Sequence, residues 1–177
     1  MTLLDPAKVA LVVFAAAIAQ TSILNAVELG GGTPDLLLVT LVAVALLRGP
    51  IYGAGAGFFG GLVVDTALLG TLGQTSLLLT VAGYWIGRYG ETTGRGRDRS
   101  HAPLLSIVVV TILYALCALA LHFMLGDAVS ARLVLVDALP PSVVLNALLA
   151  IPVYALARRL LRPTEPRDRA REVTLLG

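Results

Sequence analysis

Six apolar segments, separated by short stretches that hold most of the charge, constrain the fold more than any other feature of this sequence. Such segments are typical of membrane-spanning helices, which need roughly 17–25 residues each. The chain is 57% hydrophobic and 14% charged, against roughly 45–50% and about 25% in soluble domains. The sequence therefore predicts an all-α integral membrane protein, a bundle of six transmembrane helices in a single domain.

The predicted domain covers residues 1–162, and a basic cytoplasmic tail covers residues 163–177. The six spans are expected at about residues 9–27, 35–48, 51–69, 72–88, 103–125 and 138–158. The second is short for a full crossing, so a partial span packed against protein is an alternative. The last contains Pro140-Pro141 and Pro152, which predict a kink or a late start because proline lacks the amide hydrogen that a helix uses.

The basic residues predict the orientation. With the amino terminus in the cytoplasm, every Lys and Arg except Arg132 falls on the cytoplasmic side of the six spans. The positive-inside rule requires this asymmetry in short loops, so both termini are expected in the cytoplasm. The Arg-rich loop 91–100 and the tail are expected to enforce this topology, and they could also attract anionic membrane lipid. No folded basic domain presents a surface for nucleic acid, so nucleic-acid binding is not expected.

The first segment also resembles a secretory signal, because Lys8 precedes an apolar core and Ala17-Ile18-Ala19 looks like a cleavage site. A charged region of one lysine, offset by Asp5, is weak, and cleavage would move the amino terminus outside. A retained transmembrane helix is therefore favoured. The single cysteine, Cys117, lies in the fifth segment and cannot form a disulfide within the chain.

The stretch GAGFFG at residues 55–60 matches the glycine fingerprint of dinucleotide-binding loops. That fingerprint has meaning only between a strand and a helix, and here a turn precedes it within an apolar segment. Gly53, Gly57 and Gly61 recur every four residues instead, which places them on one helix face. Such small-residue stripes let two membrane helices approach closely, and Gly83 and Gly87 repeat the spacing. The sequence predicts a helix-packing face.

Asp65 continues the Gly53/Gly57/Gly61 series into the outer half of the third span. A carboxylate inside a membrane is costly and marks function in many proteins. Two hypotheses stay open: Asp65 satisfies a helix end or the nearby polar residues, or it binds a ligand or partner. Asp35 is expected to be the N-cap of the second helix, and Asp137 is expected to play the same part before Pro140-Pro141.

The remaining polar residues predict little chemistry. Gln20 and its polar neighbours in the first span, and Asn146 in the sixth, are expected to form interhelical hydrogen bonds. Tyr84, Trp85 and Tyr89 are typical of an aromatic belt at the membrane surface. His101 and His122 fall on opposite sides of the membrane and cannot share a metal. No catalytic constellation and no cofactor motif is present, so neither an enzyme nor a cofactor is expected.

Several motifs resemble the rod shape-determining protein MreD family. PDLLLV at residues 34–39 is similar to that family's proline before the second span, here Pro34. GFFGGLVVD at residues 57–65 is similar to its third-span pattern, with Gly57, Phe58, Gly61 and Asp65 in the matching positions. The resemblance extends through LGTLGQTSLL at residues 69–78 and GYWIGR at residues 83–88, and to a late run with Pro141, Asn146 and Pro152.

The resemblance implies a non-enzymatic membrane scaffold in the bacterial inner membrane. It implies a role in rod shape, in which the scaffold organises lateral peptidoglycan synthesis with MreC, a single-span partner. A RodA-type glycosyltransferase, a class B penicillin-binding protein and the MreB cytoskeleton are the further partners that it implies. It also implies a fold similar to the substrate-binding components of energy-coupling-factor transporters.

Two functional hypotheses from different classes follow. The first is the scaffold, with a lipid-facing groove of small residues as the expected docking surface for a single-span partner; the Gly53/Gly57/Gly61 and Gly83/Gly87 stripes are candidates unless internal packing occupies them. The second is a transporter component that captures a small molecule near Asp35, Asp65 and Asp137.

Overall fold

The computed structural model describes residues 4–69, 71–92, 102–126 and 129–161. Its six α-helices are α1 (Leu4–Ser22), α2 (Leu36–Arg48), α3 (Pro50–Ala67), α4 (Gln74–Thr92), α5 (Ala102–Leu125) and α6 (Leu139–Leu160). A 3₁₀ turn, Leu24–Ala26, follows α1, and a π-helical turn, Leu133–Ala138, leads into α6. Over these residues the prediction of an all-helical fold with six helices is confirmed. Most of the loop 91–100 and the whole tail 163–177 lie outside the described residues.

The first helix lies about five residues earlier than the predicted span. It ends at Ser22, where the apolar pattern predicted continuation to Val27. The Thr21 hydroxyl donates to the Ala17 and Ile18 carbonyls, both at 3.1 Å. A side chain thus supplies partners for carbonyls of the last turn, and the chain leaves the α-helix through the 3₁₀ turn.

The last helical segment begins earlier than expected, since its π-helical turn starts at Leu133. Pro140 and Pro141 lie in the first turn of α6 and carry no amide hydrogen. The carbonyls that precede them therefore have no partner four residues on, which permits the wider π-helical turn.

The short helix α2 forms the centre of the bundle. It has 13 residues, all buried from Leu37 to Leu46, and it packs against each of the other five helices. At 1.5 Å per residue it is roughly 20 Å long, against about 30 Å of hydrocarbon core in a bilayer. Because protein surrounds it on every side, α2 has the environment that a partial span requires.

The helices alternate in direction, so the bundle has two ends. Asp5 at the start of α1 contacts Arg48 at the end of α2, and Gly87 near the end of α4 lies against Pro50 at the start of α3. We call this the basic end, because it carries five described cations: Lys8, Arg48, Arg88, Arg158 and Arg159. Arg132 lies at the opposite end.

An ion pair holds the basic end of α1 against α2. Arg48 Nη2 donates to Asp5 Oδ1 at 3.1 Å, and the Arg48 side chain is only 10% exposed. This hydrogen bond lowers the pKa of the Asp5 carboxyl below its ordinary value of 3.8, although desolvation opposes the shift. The pair therefore stabilises the fold only while Asp5 is ionised.

We expect a pH-dependent effect of Asp5→Asn. A lowered folded-state pKa means that the stabilisation is present above pH 3.8 and is lost as the pH falls through the lowered pKa. The variant should therefore unfold at a lower temperature than the wild type at neutral pH, and the difference should close in acid. Thermal unfolding in detergent at several pH values measures this. A difference that does not change with pH would contradict the assignment.

Candidate functional site

The glycine stripe of α3 lies directly against the backbone of α4. We call this contact the glycine seam. Gly53, Gly57 and Gly61 form its α3 side, and they face the backbone of Gly83, Leu79 and Ser76 respectively. At each of the three positions an added Cβ would overlap backbone atoms of α4. Only glycine permits this approach, and α3 and α4 form the most extensive helix pair in the described bundle.

The second stripe completes the same seam from the α4 side. Gly83 lies against the Gly53 carbonyl, and Gly87 lies against Pro50. The prediction of a helix-packing face at GAGFFG is confirmed, since the stretch lies inside α3 and its Gly57 lies against the backbone of α4. Both stripes are occupied by internal packing, so neither is available to a partner helix.

Phe58 lies outside the seam. Its side chain is about half exposed and packs edge-to-face on Phe59, with ring centroids 5.4 Å apart. Its main chain belongs to the seam, because the Phe58 carbonyl accepts a hydrogen bond of 2.8 Å from the Ser76 hydroxyl. The ring therefore faces outward while the backbone joins α3 to α4.

Asp65 caps the start of α4 from a neighbouring helix. Its carboxylate accepts the amides of Gly73 at 2.9 Å, Thr75 at 3.2 Å and Ser76 at 3.3 Å. The residue before α4 is Gly73, with φ +91° and no side chain for an N-cap. Asp65 takes that part from the end of α3, where it is only 4% exposed. A carboxylate there also interacts favourably with the positive end of the helix dipole.

These contacts bear on the two hypotheses for Asp65. The hypothesis that Asp65 satisfies a helix end or nearby polar residues includes Thr75 as a partner, and the Thr75 amide is one of the three donors. The sequence does not predict the Gly73 and Ser76 amides as partners, because a cap supplied from eight or more residues away has no local sequence signal. The carboxylate organises the loop between α3 and α4, and a contact with a binding partner stays a prediction.

Two side chains, those of Asp35 and Gln20, form hydrogen bonds with main-chain groups at the start of α2. Asp35 is its N-cap, as predicted, and Asp35 Oδ1 accepts the Leu38 amide at 2.8 Å. The Gln20 side chain bridges the entry to the helix: its amide nitrogen donates to the Pro34 carbonyl at 3.2 Å, and its oxygen accepts the Leu36 amide at 2.7 Å. A helix start inside protein lacks water as a partner, so these donors need such acceptors.

Asn146 joins the start of α2 to α5 and α6. Its side-chain oxygen accepts the Asp35 amide at 2.7 Å, and its side-chain nitrogen donates to the Thr111 hydroxyl at 3.2 Å. The residue is 1% exposed. The prediction of an interhelical hydrogen bond at Asn146 is confirmed. Close packing accompanies it, because Gly32 lies against the backbone of Pro141 and Ser142.

The N-cap prediction for Asp137 is wrong. Asp137 lies inside the π-helical turn and is exposed, and the residue before α6 is Ala138, which makes no side-chain cap. The π-helical turn starts upstream of Pro140-Pro141, so Asp137 is not the first residue to need a cap. Of the three aspartates in the transporter hypothesis, Asp35 and Asp65 bind backbone amides, and that hypothesis gains no support.

No metal centre is found in the described ranges: no group of three or more His, Cys, Asp and Glu side chains comes together there. His122 Nε2 lies 3.3 Å from the Gln74 side-chain nitrogen, at the end opposite the basic end. His101 lies outside the described residues. The polar side chains described above therefore form hydrogen bonds at the ends of packed helices.

Two helical segments in the described chain are long and apolar enough to cross a membrane, 103–125 and 133–160. Only 28% and 11% of their most apolar windows are buried, whereas the core helix of a soluble protein would be mostly buried. Large apolar side chains are exposed on the other helices too, including Leu11, Ile51 and Trp85. Six helices with this much exposed apolar surface are consistent with a helical membrane protein.

Comparison with protein families matches residues 6–164 to the family described as rod shape-determining protein MreD. The match covers most of the chain, and the chain belongs to this family. Its role therefore lies in rod shape determination. Searches of the curated proteins and of the solved structures gave no match, so the similarity to energy-coupling-factor transporter components stays a prediction.

Proposed function

We propose that this protein is a non-enzymatic membrane scaffold of the bacterial cell-elongation machinery. It would maintain rod shape by organising lateral peptidoglycan synthesis together with an MreC-like single-span protein. The observation that carries the proposal is the family match over residues 6–164. The use of polar side chains as helix caps supports it further, because the Asp35 and Asp65 carboxylates accept hydrogen bonds from backbone amides within the fold.

The proposal includes an orientation. All six helices would lie in the cytoplasmic membrane as one bundle, similar to the substrate-binding components of energy-coupling-factor transporters, with both termini in the cytoplasm. The charge of the two ends supports this, since five described cations lie at the basic end and Arg132 lies at the other. An excess of Lys and Arg on the cytoplasmic side is the usual arrangement.

A groove between α1 and α3 is the surface that we assign to the single-span partner. It encloses about 790 Å³ and opens on the face of α3 opposite the glycine seam. No charged side chain lines it, and small residues contribute to its walls: Ala7, Ala10, Gly55, Ala56 and Gly60. A second helix can approach closely where small residues leave room, and the absence of charge fits an apolar transmembrane segment.

Phe14 and Phe59 belong to the same groove and are both more than half exposed. Large rings beside small residues give a partner helix both a close approach and apolar contact area. The RodA-type glycosyltransferase, the class B penicillin-binding protein and the MreB cytoskeleton would then be reached through the single-span partner, while membrane lipid covers the remaining apolar faces.

The experiment compares two variants that each introduce a leucine. Gly55→Leu fills the groove at a position where a Cβ meets nothing within 4 Å, and Ala120→Leu adds a leucine on an exposed face of α5. Each tagged protein is purified in mild detergent from its native membranes, and the recovered partners are quantified by mass spectrometry. We expect Gly55→Leu to lower recovery of the bitopic partner by about tenfold or more, and Ala120→Leu to leave it unchanged.

The possible outcomes test the scaffold proposal and the assignment of the groove separately. If the wild type recovers no bitopic cell-wall protein, the scaffold proposal fails. If it does and Gly55→Leu recovers just as much, the scaffold stands and the groove is the wrong surface. Recovery of paired ATPases with a coupling membrane subunit would instead identify a transporter component.

A further inference from the structure

A second cavity lies at the basic end, between α5 and α6. It encloses about 390 Å³, within the range of small-ligand sites. Pro103 and Leu104 at the start of α5 form one wall, and the last turns of α6 form the other. Nothing in the proposed scaffold function makes use of this cavity.

The α6 wall changes from apolar to cationic along its length. Ala150, Tyr154 and Arg158 follow one another at intervals of four residues, which places them in one row on the helix surface. Ile151, Ala155 and Arg159 form the neighbouring row, also within the cavity lining. In both rows the arginine lies nearest the end of the helix. The wall therefore offers positive charge at the basic end and apolar surface toward the middle of the bundle.

Among the described residues, no carboxylate neutralises the positive charge of this cavity. No Asp or Glu side chain belongs to its lining, and the first turn of α5 contains no acidic residue. Among the described residues neither Arg158 nor Arg159 forms an ion pair, whereas Arg48 and Arg88 both do. Two adjacent guanidinium groups without a carboxylate favour an anion, and phosphate oxygens suit their planar donor geometry best.

An apolar track continues from the cavity along α6. Ile151, Leu148 and Val144 lie three and four residues apart on one face, and all three are exposed. A hydrocarbon chain that leaves the cavity toward the middle of the bundle would contact this track. Charge at one end and a continuous apolar face at the other are the features that an amphiphile requires.

We propose that the cavity between α5 and α6 is a binding site for a phosphate-headed lipid. The phosphate accepts hydrogen bonds from Arg158 and Arg159, with the Tyr154 hydroxyl as a further donor at the side of the cavity. The acyl chain lies along Ile151, Leu148 and Val144. A soluble phosphate would use the same arginines but would make no contact with this apolar track.

The test measures lipid binding to the full chain by native mass spectrometry from a non-ionic detergent. The probes are phosphatidylglycerol, zwitterionic phosphatidylcholine and inorganic phosphate. We expect phosphatidylglycerol to bind, and the double variant with Arg158→Ala and Arg159→Ala to bind it at least about tenfold more weakly. Ala155→Phe should also weaken binding, because it fills the cavity and leaves both cations in place.

Arg88→Ala is the matched control. Arg88 is an exposed arginine at the same end, outside the cavity, and it pairs with Glu91 at 3.5 Å. Its removal should leave lipid binding unchanged. An equal loss in this variant would mean that the basic end attracts lipid by general charge, and it would overturn the site. Binding of inorganic phosphate as tight as that of phosphatidylglycerol would overturn the assignment to a lipid.

Discussion

Gly57→Ala should destabilise the fold by about 3 kcal/mol, the upper part of the range for overpacked positions. The Cβ of an alanine at this site would overlap the Leu79 carbonyl group and the Thr80 amide nitrogen, which belong to the backbone of α4. A side-chain neighbour could rotate away, but a backbone neighbour moves only with its whole helix. The added methyl group therefore separates α3 from α4 along the glycine seam.

The matched control for this variant is Gly55→Ala. The two positions lie two residues apart in the same helix, so alanine raises intrinsic helix propensity at both by about 1 kcal/mol. A Cβ at Gly55 meets nothing within 4 Å, and that variant should be as stable as the wild type or slightly more so. The difference between the two variants isolates the cost of the overlap.

Thermal unfolding in mild detergent measures both variants. For a chain of this size a difference of about 3 kcal/mol corresponds to roughly 6–12 °C in the apparent unfolding temperature. If Gly57→Ala and Gly55→Ala unfold together, the glycine seam does not hold α3 against α4. A selective loss in Gly57→Ala would also show that the stripe belongs to the interior of the bundle and leaves no face for a partner.

The glycine seam could be predicted from the sequence because its signal is local. A spacing of four residues fixes which side chains share a helix face, and small residues on such a face have one common use between membrane helices. The identity of the second helix has no such signal. Gly53 meets Gly83 across thirty positions of sequence, and only the assembled bundle shows that the two stripes face each other.

Some helix caps can be predicted from the sequence and others cannot, for the same reason. Asp35 could be predicted as an N-cap because it directly precedes its own helix. Asp65 could not be assigned to α4, because its carboxylate belongs to the preceding helix and the residue that it replaces is Gly73. The N-cap prediction for Asp137 is wrong because two prolines indicate a helix start at a point where the chain is already helical from Leu133.

The two open surfaces were beyond sequence reasoning altogether. The groove between α1 and α3 depends on how the two helices pack against each other, and neither helix carries a residue that marks it. Arg158 and Arg159 were visible only as part of the cytoplasmic charge that orients the chain. Their position over a cavity, next to Tyr154 and with no carboxylate among its described lining residues, depends on the packing of α5 against α6.

Asp65→Ala should cost about 3 kcal/mol or more, because it leaves three amides at the start of α4 without their acceptor. A hydrogen bond to a charged group contributes roughly 1.5–3 kcal/mol, and an unsatisfied buried donor costs about 1–3 kcal/mol. Water cannot easily replace the carboxylate, since Asp65 is only 4% exposed. Thermal unfolding in detergent should show a large decrease, and the amount of protein in the membrane should fall with it.

Asp65→Asn separates the loss of acceptors from the loss of bulk. It keeps one oxygen and places an NH₂ group against at least one of the Gly73, Thr75 and Ser76 amides, so its stability should lie between those of Asp65→Ala and the wild type. Asp137→Ala removes an exposed carboxylate at the same end of the bundle and should change stability by less than about 0.5 kcal/mol. Comparable losses at Asp65 and Asp137 would contradict the cap assignment.

The same variants decide how Asp65 serves the scaffold. A carboxylate that only organises the loop between α3 and α4 predicts that partner recovery and cell shape decline in step with stability, through Asp65→Asn to Asp65→Ala. A carboxylate that also contacts a partner predicts that Asp65→Asn loses the partner while most of the protein stays folded. Because the three amides of α4 lie 2.9–3.3 Å from the carboxylate oxygens, we expect the first result: the loop is fixed by Asp65, and any partner contacts the loop.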